Sequence, residues 1–339
     1  MKSDLELKSY DYNLPAKLIA NAPASPKGSE KMLVYYRATG EIRHLKFSDL
    51  CDILSECAII LNDTKVIKAR IYGHKDSGGK IELLLNQPLN DGVFSVYIKG
   101  KVKKGQILKF QNGLDACVYE LFSDGSKAVK FSQNHKILKN NELFALLEKI
   151  GHVPLPPYIK RPDNENDEKW YQSIFAKAQG AVAAPTASLH FSPEILNKLQ
   201  AKFQSAFITL HVGAGTFKGV ECENILEHKM HSEFFELSNE AINLITSPQK
   251  LLAVGTTVAR TIEYFVRTEQ KSGFCDLFLH PQNPPKRLDY LLTNFHLPKS
   301  TLIMLVASLT GLDECKRIYQ IAIEQKYRFY SYGDAMLIL

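Results

Sequence analysis

At 339 residues the chain is long for one hydrophobic core, so we expect two domains. Its 45% hydrophobic and 23% charged residues are typical of a globular protein, and no apolar run approaches the ~20 residues that cross a bilayer, which argues against a membrane-spanning protein. The formal net charge of +6 is mild: it permits a polyanionic partner such as nucleic acid without requiring one.

The amino-terminal stretch MKSDLELKSYDYNLP lacks the apolar core of a signal peptide, so we expect a cytoplasmic protein. The six cysteines contain no CxxC pair, and scattered thiols in a cytoplasmic chain are typical of small buried side chains. We therefore predict neither disulfides nor a cysteine metal site. These cysteines are Cys51, Cys57, Cys117, Cys222, Cys275 and Cys315.

Residues 1–57 combine three prolines with a predicted strand at Met32–Tyr36 and a short helix at Phe47–Leu54. From Ala58 to about Phe131, short β-branched runs recur, separated by glycine turns of the kind that close hairpins. The turn signals are Ser77-Gly78-Gly79, Asn90-Asp91-Gly92, Asn112-Gly113 and Asp124-Gly125. With a helix predicted at Asn141–Ile150, we expect residues 58–150 to form an inserted small six-stranded antiparallel β-barrel domain.

The larger domain, residues 1–57 and 151–339, is predicted to be α/β. After the proline-rich linker Val153–Pro162, strand, loop and helix signals alternate, with Ser192-Pro193 as the start of one helix. Ligands of such sheets lie at the carboxyl ends of the strands. Three loops are predicted there: His211–Thr216, Gly255–Thr257 and Asn294–His296.

The stretch Leu210–Leu237 carries the strongest chemical signals. Its glycine turn can present backbone N–H groups to a ligand, and His228, His231 and Glu233 follow with HxxHxE spacing. Several interpretations stay open. In one, the glycines form only a tight turn. In another, the histidines and Glu233, with His211, bind the zinc of a hydrolase, and in a third the barrel belongs to an RNA-binding protein without catalysis.

Eight blocks of the chain, in order, resemble one known family. They are LNDTKVIKARI (61–71), GHVPLPPYI (151–159), YQSIFAKAQGAVAAPTASLHF (171–191), LHVGAGTF (210–217), HKMHSE (228–233), VGTTVAR (254–260), LLTNFHLPKSTLIMLV (291–306) and FYSYGDAMLI (329–338). The chain resembles the S-adenosylmethionine:tRNA ribosyltransferase-isomerases of queuosine biosynthesis from about Tyr10 to its end.

The resemblance implies an enzyme that moves and isomerises the ribosyl part of S-adenosylmethionine onto the 7-aminomethyl-7-deazaguanine wobble base of tRNA. Epoxyqueuosine forms, and adenine and methionine leave. S-adenosylmethionine is consumed as co-substrate, so we expect no metal and no other cofactor. The resemblance also implies a larger α/β domain with an inserted six-stranded barrel. We further expect a monomer and no membrane partner.

This reaction needs proton transfer, for which histidine and carboxylate side chains are suited. The predicted catalytic residues are His211, His228, His231 and Asp63. The predicted substrate-binding residues are Gly213, Gly215, Thr216, Phe217, Thr256, Thr257, Asn294 and His296. Aromatic faces nearby would favour the sulfonium cation. The lysines predicted to bind tRNA phosphates are Lys99, Lys101, Lys103 and Lys104.

The chain departs from the family pattern at a few positions. Lys27, Lys31 and Lys65 stand where the family usually carries arginine, and lysine cannot reproduce the bidentate guanidinium fork. His152 and Ser188 replace a usual lysine and glycine, and Lys68 stands where proline is frequent. The positive charge is kept at the three arginine positions, but a bidentate clamp there is not expected.

Overall fold

The computed structural model describes residues 4–90 and 92–339; Met1–Ser3 and the Asp91 of one predicted turn lie outside it. Its strands are β1 Lys31–Tyr36, β2 Glu41–Lys46, β3 Ala58–Asn62, β4 Thr64–Val66, β5 Arg70–Lys75, β6 Lys80–Asn90, β7 Val93–Lys99, β8 Ile107–Lys109, β9 Leu114–Leu121, β10 Lys127–Gln133, β11 Lys136–Ile137, β12 Ala178–Ala181, β13 Ser205–Leu210, β14 Glu233–Leu237, β15 Leu251–Val254, β16 Ser272–Cys275, β17 Tyr290–Asn294 and β18 Ala335–Ile338.

The helix predicted at Asn141–Ile150 is confirmed as Asn140–Ile150, whereas the one predicted at Phe47–Leu54 is α-helical only over Leu50–Ile53. The described residues contain eight α-helices. They are α1 Leu50–Ile53, α2 Asn140–Ile150, α3 Glu165–Trp170, α4 Pro193–Lys202, α5 Asn239–Thr246, α6 Thr256–Thr268, α7 Thr301–Thr310 and α8 Leu312–Glu324. The predicted cap of α4 is confirmed: the Ser192 side chain accepts a hydrogen bond from the N–H of Ile195. Within the residues described, no helix has the length and apolarity needed to span a bilayer.

A nine-stranded mixed sheet forms the larger part of the molecule, in the order β16-β14-β13-β3-β15-β17-β18-β1-β2. Strands β13, β3, β15 and β17 are mutually parallel neighbours, so their carboxyl ends meet at one edge. Alternate residues of β3 enter two separate cores, with Ala58 and Ile60 on one face and Ile59 and Leu61 on the other. Both faces are therefore covered, as the all-apolar run predicts.

The barrel is the second part, and the prediction of six antiparallel strands is confirmed. Strands β7, β6, β5, β8 and β9 pair in that order, and β10 joins β7 to β9 and closes the ring. The short β11 folds back and pairs antiparallel with the end of β10. Helix α2 closes one side of the barrel, because Leu143, Leu147 and Ile150 belong to its core.

The prediction that the first β-branched run, which begins at Ala58, belongs to the barrel was wrong. Ala58–Asn62 is the central strand β3 of the large sheet, and Thr64–Val66 pairs with β12 outside the barrel. The first barrel strand, β5, begins at Arg70. A short β-branched run has the same sequence pattern in a buried parallel sheet as in a barrel, so periodicity did not separate the two.

Candidate active site

Three strand ends of the large sheet open into one cavity of about 440 Å³, hereafter the first cavity. The loops after β13, β15 and β17 all contribute to its lining, as expected for parallel strands that end at one edge. Six predicted substrate-binding residues line it: Thr216, Phe217, Thr256, Thr257, Asn294 and His296.

An aromatic wall faces these loops. The rings of Tyr158 and Tyr330 lie 4.1 Å apart between centroids, and both line the first cavity. Ser331 donates its backbone N–H to the Tyr158 hydroxyl and also hydrogen-bonds it through Oγ. Tyr330 holds a left-handed backbone conformation, with φ of 72°. The proline-rich linker is therefore joined to the carboxyl-terminal turn at this site.

A second, polar cavity of about 330 Å³ lies between the large sheet and the barrel. Gly213, Gly215 and His231 line this second cavity and not the first. A Cβ on Gly215 would lie 2.4 Å from Cγ of His231, so only glycine fits beneath that ring. Glu233 borders both cavities. The glycine turn thus separates two sites and does not line a single pocket.

Glu233 and Arg260 form a buried ion pair, with Arg260 Nη1 2.5 Å from Glu233 Oε2. Gly213 N–H donates to Glu233 Oε1, while Arg260 Nε and Nη2 donate to the carbonyls of Leu277 and Cys275. Burial lowers the pKa of Arg260, but the Glu233 charge outweighs it and the pKa lies above its ordinary value. Arg260 was not predicted as a site residue. It lies about one helical turn after Thr256 and Thr257 and therefore on the same face of the helix.

Of the four predicted catalytic residues, only His231 lines one of the two cavities. His211 Nδ1 lies 2.7 Å from Thr64 Oγ1, and Asp63 accepts a hydrogen bond from Thr209. Neither His211 nor Asp63 lines either cavity. Burial lowers the pKa of His211 below its ordinary value, which the Asp63 charge partly opposes.

The other two histidines differ in their surroundings. His228 packs edge-on against Phe278 and lines neither cavity, whereas His231 lines the second. Burial lowers the pKa of both rings, assisted at His231 by Lys218. Both Glu233 oxygens accept hydrogen bonds, one from Gly213 and one from Arg260. In residues 4–90 and 92–339, no group of three His, Cys, Asp or Glu side chains is arranged to hold a metal ion.

Two polar side chains at the first cavity are held by buried partners. His296 Nε2 lies 2.9 Å from Thr293 Oγ1, and burial lowers the pKa of His296 to about 3, so the ring is neutral. Asn294 donates to His190 Nε2 and to the carbonyl of Tyr330, and its Oδ1 accepts from Thr186. The orientation of this amide is therefore fixed before any ligand binds.

Asn62, at the end of β3, ties the neighbouring loops together. Its Nδ2 donates to Leu210 O and to Thr257 Oγ1, and its Oδ1 accepts from Thr64 N and Leu210 N. The residue is fully buried. A buried amide with all its hydrogen-bonding groups engaged fixes the spacing of the strand ends.

The four lysines predicted to bind tRNA are all exposed on the barrel and line neither cavity. Lys99 ends β7, and the other three lie in the following loop. Lys104 Nζ lies 5.9 Å from the ring centroid of Tyr119. A further lysine, Lys218, borders the first cavity and donates to the Asp124 carbonyl on the barrel, and it was not predicted.

Known proteins resemble this chain over its whole length. The family described as queuosine biosynthesis protein matches residues 7–338. A curated S-adenosylmethionine:tRNA ribosyltransferase-isomerase from Campylobacter fetus is 61% identical, with 100% of each chain covered. One of the same name from Nitratiruptor is 58% identical, again with 100% of each chain covered.

A solved structure agrees with the fold. The crystal structure of S-adenosylmethionine tRNA ribosyltransferase from Thermotoga maritima is 32% identical, with a TM-score of 0.54, and the match covers 98% of this chain and 100% of that one. The family match and the curated relatives agree with the blocks noted in the sequence. This chain belongs to the queuosine biosynthesis protein family.

Proposed function

We propose that this chain is an S-adenosylmethionine:tRNA ribosyltransferase-isomerase. It transfers and isomerises the ribosyl moiety of S-adenosylmethionine onto the 7-aminomethyl-7-deazaguanine wobble base of tRNA, and it releases adenine and methionine. The observation that carries the proposal is the pair of adjoining cavities, one aromatic and one polar, in a chain of this family. A transferase with two substrates needs two such sites side by side.

The first cavity suits S-adenosylmethionine. Phe217, Tyr158 and Tyr330 offer aromatic faces, which attract a sulfonium cation. Thr256 and Thr257 begin helix α6, whose first-turn N–H groups and positive end favour the carboxylate of the methionine part. Asn294 and the neutral His296 add polar groups of fixed orientation. These residues bind the co-substrate, and no other cofactor takes part.

The chemistry requires a base to remove a proton from the 5′ carbon beside the sulfonium. It also requires a neutral amine on the RNA base, and a departing adenine. His231 is the best placed of the predicted catalytic residues for the amine, because it lines the second cavity beside Glu233. His211, Asp63 and His228 act through the loops that they support. Gly213 and Gly215 contribute backbone N–H groups and close approach.

The remaining expectations follow from the substrates. Exposed barrel lysines Lys99, Lys101, Lys103 and Lys104 contact tRNA phosphates. A protein that acts on tRNA works in the cytoplasm, and we propose that it does so as a monomer. The inserted domain runs from the start of β5 to the end of α2, so residues 70–150 form the barrel domain and the rest the α/β domain.

The test is to incubate the purified protein with S-adenosylmethionine and tRNA that carries the 7-aminomethyl-7-deazaguanine base. Adenine and methionine should appear together, in amounts equal to the modified nucleoside formed. Omission of either substrate should abolish adenine release. Complete mixtures that yield no adenine above the blank would overturn the proposal.

A further inference from the structure

The second cavity is bounded by two walls of different origin. Gly213, Gly215, His231, Ser232 and Glu233 form the wall on the large-sheet side. The barrel wall carries an aromatic, amide, hydroxyl and carboxylate set: Asn86, Gln87, Leu89, Ser95, Tyr97, Phe122, Ser123, Asp124 and Ser126. This combination of flat apolar rings and hydrogen-bonding groups is what recognition of a single nucleobase requires.

We propose that the second cavity binds the 7-deazaguanine base of the RNA, with its aminomethyl group toward Glu233 and its Watson–Crick edge toward Asp124. The inference rests on the proposed function. The orientation follows from the shared wall: the amine must meet the ribosyl carbon held in the first cavity, and Glu233 borders both cavities. The opposite edge of the base must then face the barrel.

Asp124 has the chemistry for that edge, which presents the N1–H and 2-amino donors. Its Oδ1 accepts from the N–H and hydroxyl of Ser126, at 2.9 and 2.6 Å, so the carboxylate is held in place. Burial raises the pKa of Asp124, but the Ser126 hydrogen bonds together with the nearby Lys218 and His231 outweigh it, and the pKa lies below its ordinary value. An ionised carboxylate accepts up to about four hydrogen bonds, which leaves capacity for two donors of the base.

Phe122 supplies a ring for stacking. It is 37% exposed at the β9–β10 turn, which is high for a phenylalanine, and it lines the second cavity. Tyr97 lines the same cavity, and the Lys218 ammonium lies 4.8 Å from its ring centroid. Loss of such a stacking ring weakens binding by roughly tenfold or more per base. An exposed ring at the mouth of a polar cavity suits a base that swings out of the anticodon loop.

The test compares two anticodon stem–loop RNAs, one with the 7-aminomethyl-7-deazaguanine base at the wobble position and one with adenine there. Adenine lacks both donors that Asp124 would bind. Wild-type protein should bind the modified RNA more tightly, and Asp124→Asn should lose about tenfold of that preference. Asparagine keeps the acceptor for Ser126, so the turn is retained. Asp115→Asn, a barrel carboxylate that lines neither cavity, should keep the preference.

A second variant tests the stacking. Phe122→Ala should weaken binding of the modified RNA about tenfold, whereas Leu121→Ala, an exposed apolar residue beside it, should not. Neither Phe122→Ala nor Asp124→Asn should change the affinity for S-adenosylmethionine measured by calorimetry. Unchanged RNA preference in Asp124→Asn, with Phe122→Ala binding like Leu121→Ala, would overturn the inference. If wild-type protein releases no adenine with both substrates, the proposed function fails instead, so the two failures are distinct.

Discussion

Arg260 Nη1 lies 2.5 Å from Glu233 Oε2, and Glu233 belongs to the wall shared by the first and second cavities, whereas Arg260 lines the first alone. Both side chains are buried, and each makes further hydrogen bonds to the backbone. A buried ion pair contributes less to stability than its geometry suggests, but removal of one partner leaves an uncompensated charge. The pair therefore fixes the wall in position.

Arg260→Gln should lower the free energy of unfolding by about 3 kcal/mol, because Glu233 is left charged and buried without its partner. Urea denaturation followed by circular dichroism measures the change. Glu233→Gln added to Arg260→Gln should recover part of the loss, since no charge then remains in the wall.

The matched control is Arg43→Gln, which breaks the exposed pair with Glu41, where the side chains are 53% and 47% exposed. That substitution should cost less than about 1 kcal/mol. An Arg260→Gln protein as stable as Arg43→Gln would contradict a buried, structurally important pair.

His296 should make stability depend on pH. Burial lowers its pKa from 6.5 to about 3. Below about pH 6.5 this ring therefore binds a proton in the unfolded chain but not in the folded chain. The contribution of this group to the free energy of unfolding is fully present above pH 6.5. It is lost as the pH falls, by up to about 1.4 kcal/mol per pH unit. His296→Gln should give a shallower fall in unfolding free energy between pH 6.5 and 4.5.

The exposed His135, on the turn between β10 and β11, provides the control. His135→Asn suits the left-handed backbone at that position and should keep the wild-type slope. Equal slopes in His296→Gln and wild type would show that the ring is accessible to protons in the folded state.

Reversal of the barrel lysines Lys99, Lys101, Lys103 and Lys104 to glutamate should weaken tRNA binding and flatten its dependence on salt. Each phosphate contact that is lost should reduce the slope of log K against log salt by about 0.7–0.9. Filter binding at several salt concentrations measures that slope. The affinity for S-adenosylmethionine should not change.

Four exposed lysines of the large-sheet part give a control with the same change in net charge: Lys17, Lys169, Lys271 and Lys326. Their reversal should affect the salt slope less than reversal of the barrel set. Equal effects of the two sets would assign the binding to net charge rather than to the barrel surface.

Much of the site could be predicted because its loops follow local rules. The glycine turn and the threonine and asparagine loops each follow an apolar strand, and parallel strands place them at one edge. Arg260 and Lys218 were missed because each acts through a partner far along the chain: Glu233 and Asp124. No local pattern encodes such a pairing.

The same limit explains where the structure departs from the sequence-based expectations. Ala58–Asn62 has the composition of either a barrel strand or a central parallel strand, and only its pairing with β13 and β15 decides between them. His211 and Asp63 lie next to predicted site residues in the sequence, yet their side chains bond to Thr64 and Thr209. The direction of a side chain at a strand end depends on tertiary packing.

Calorimetric titration of S-adenosylmethionine tests most directly whether the first cavity is its binding site. The wild-type protein should bind one equivalent, and Phe217→Ala should bind about tenfold more weakly, because it removes an aromatic face from the cavity. Phe274→Ala, which removes an exposed ring from the edge strand β16, should match wild type. No binding by the wild type, with or without RNA, or equal affinities in the two variants, would contradict the account.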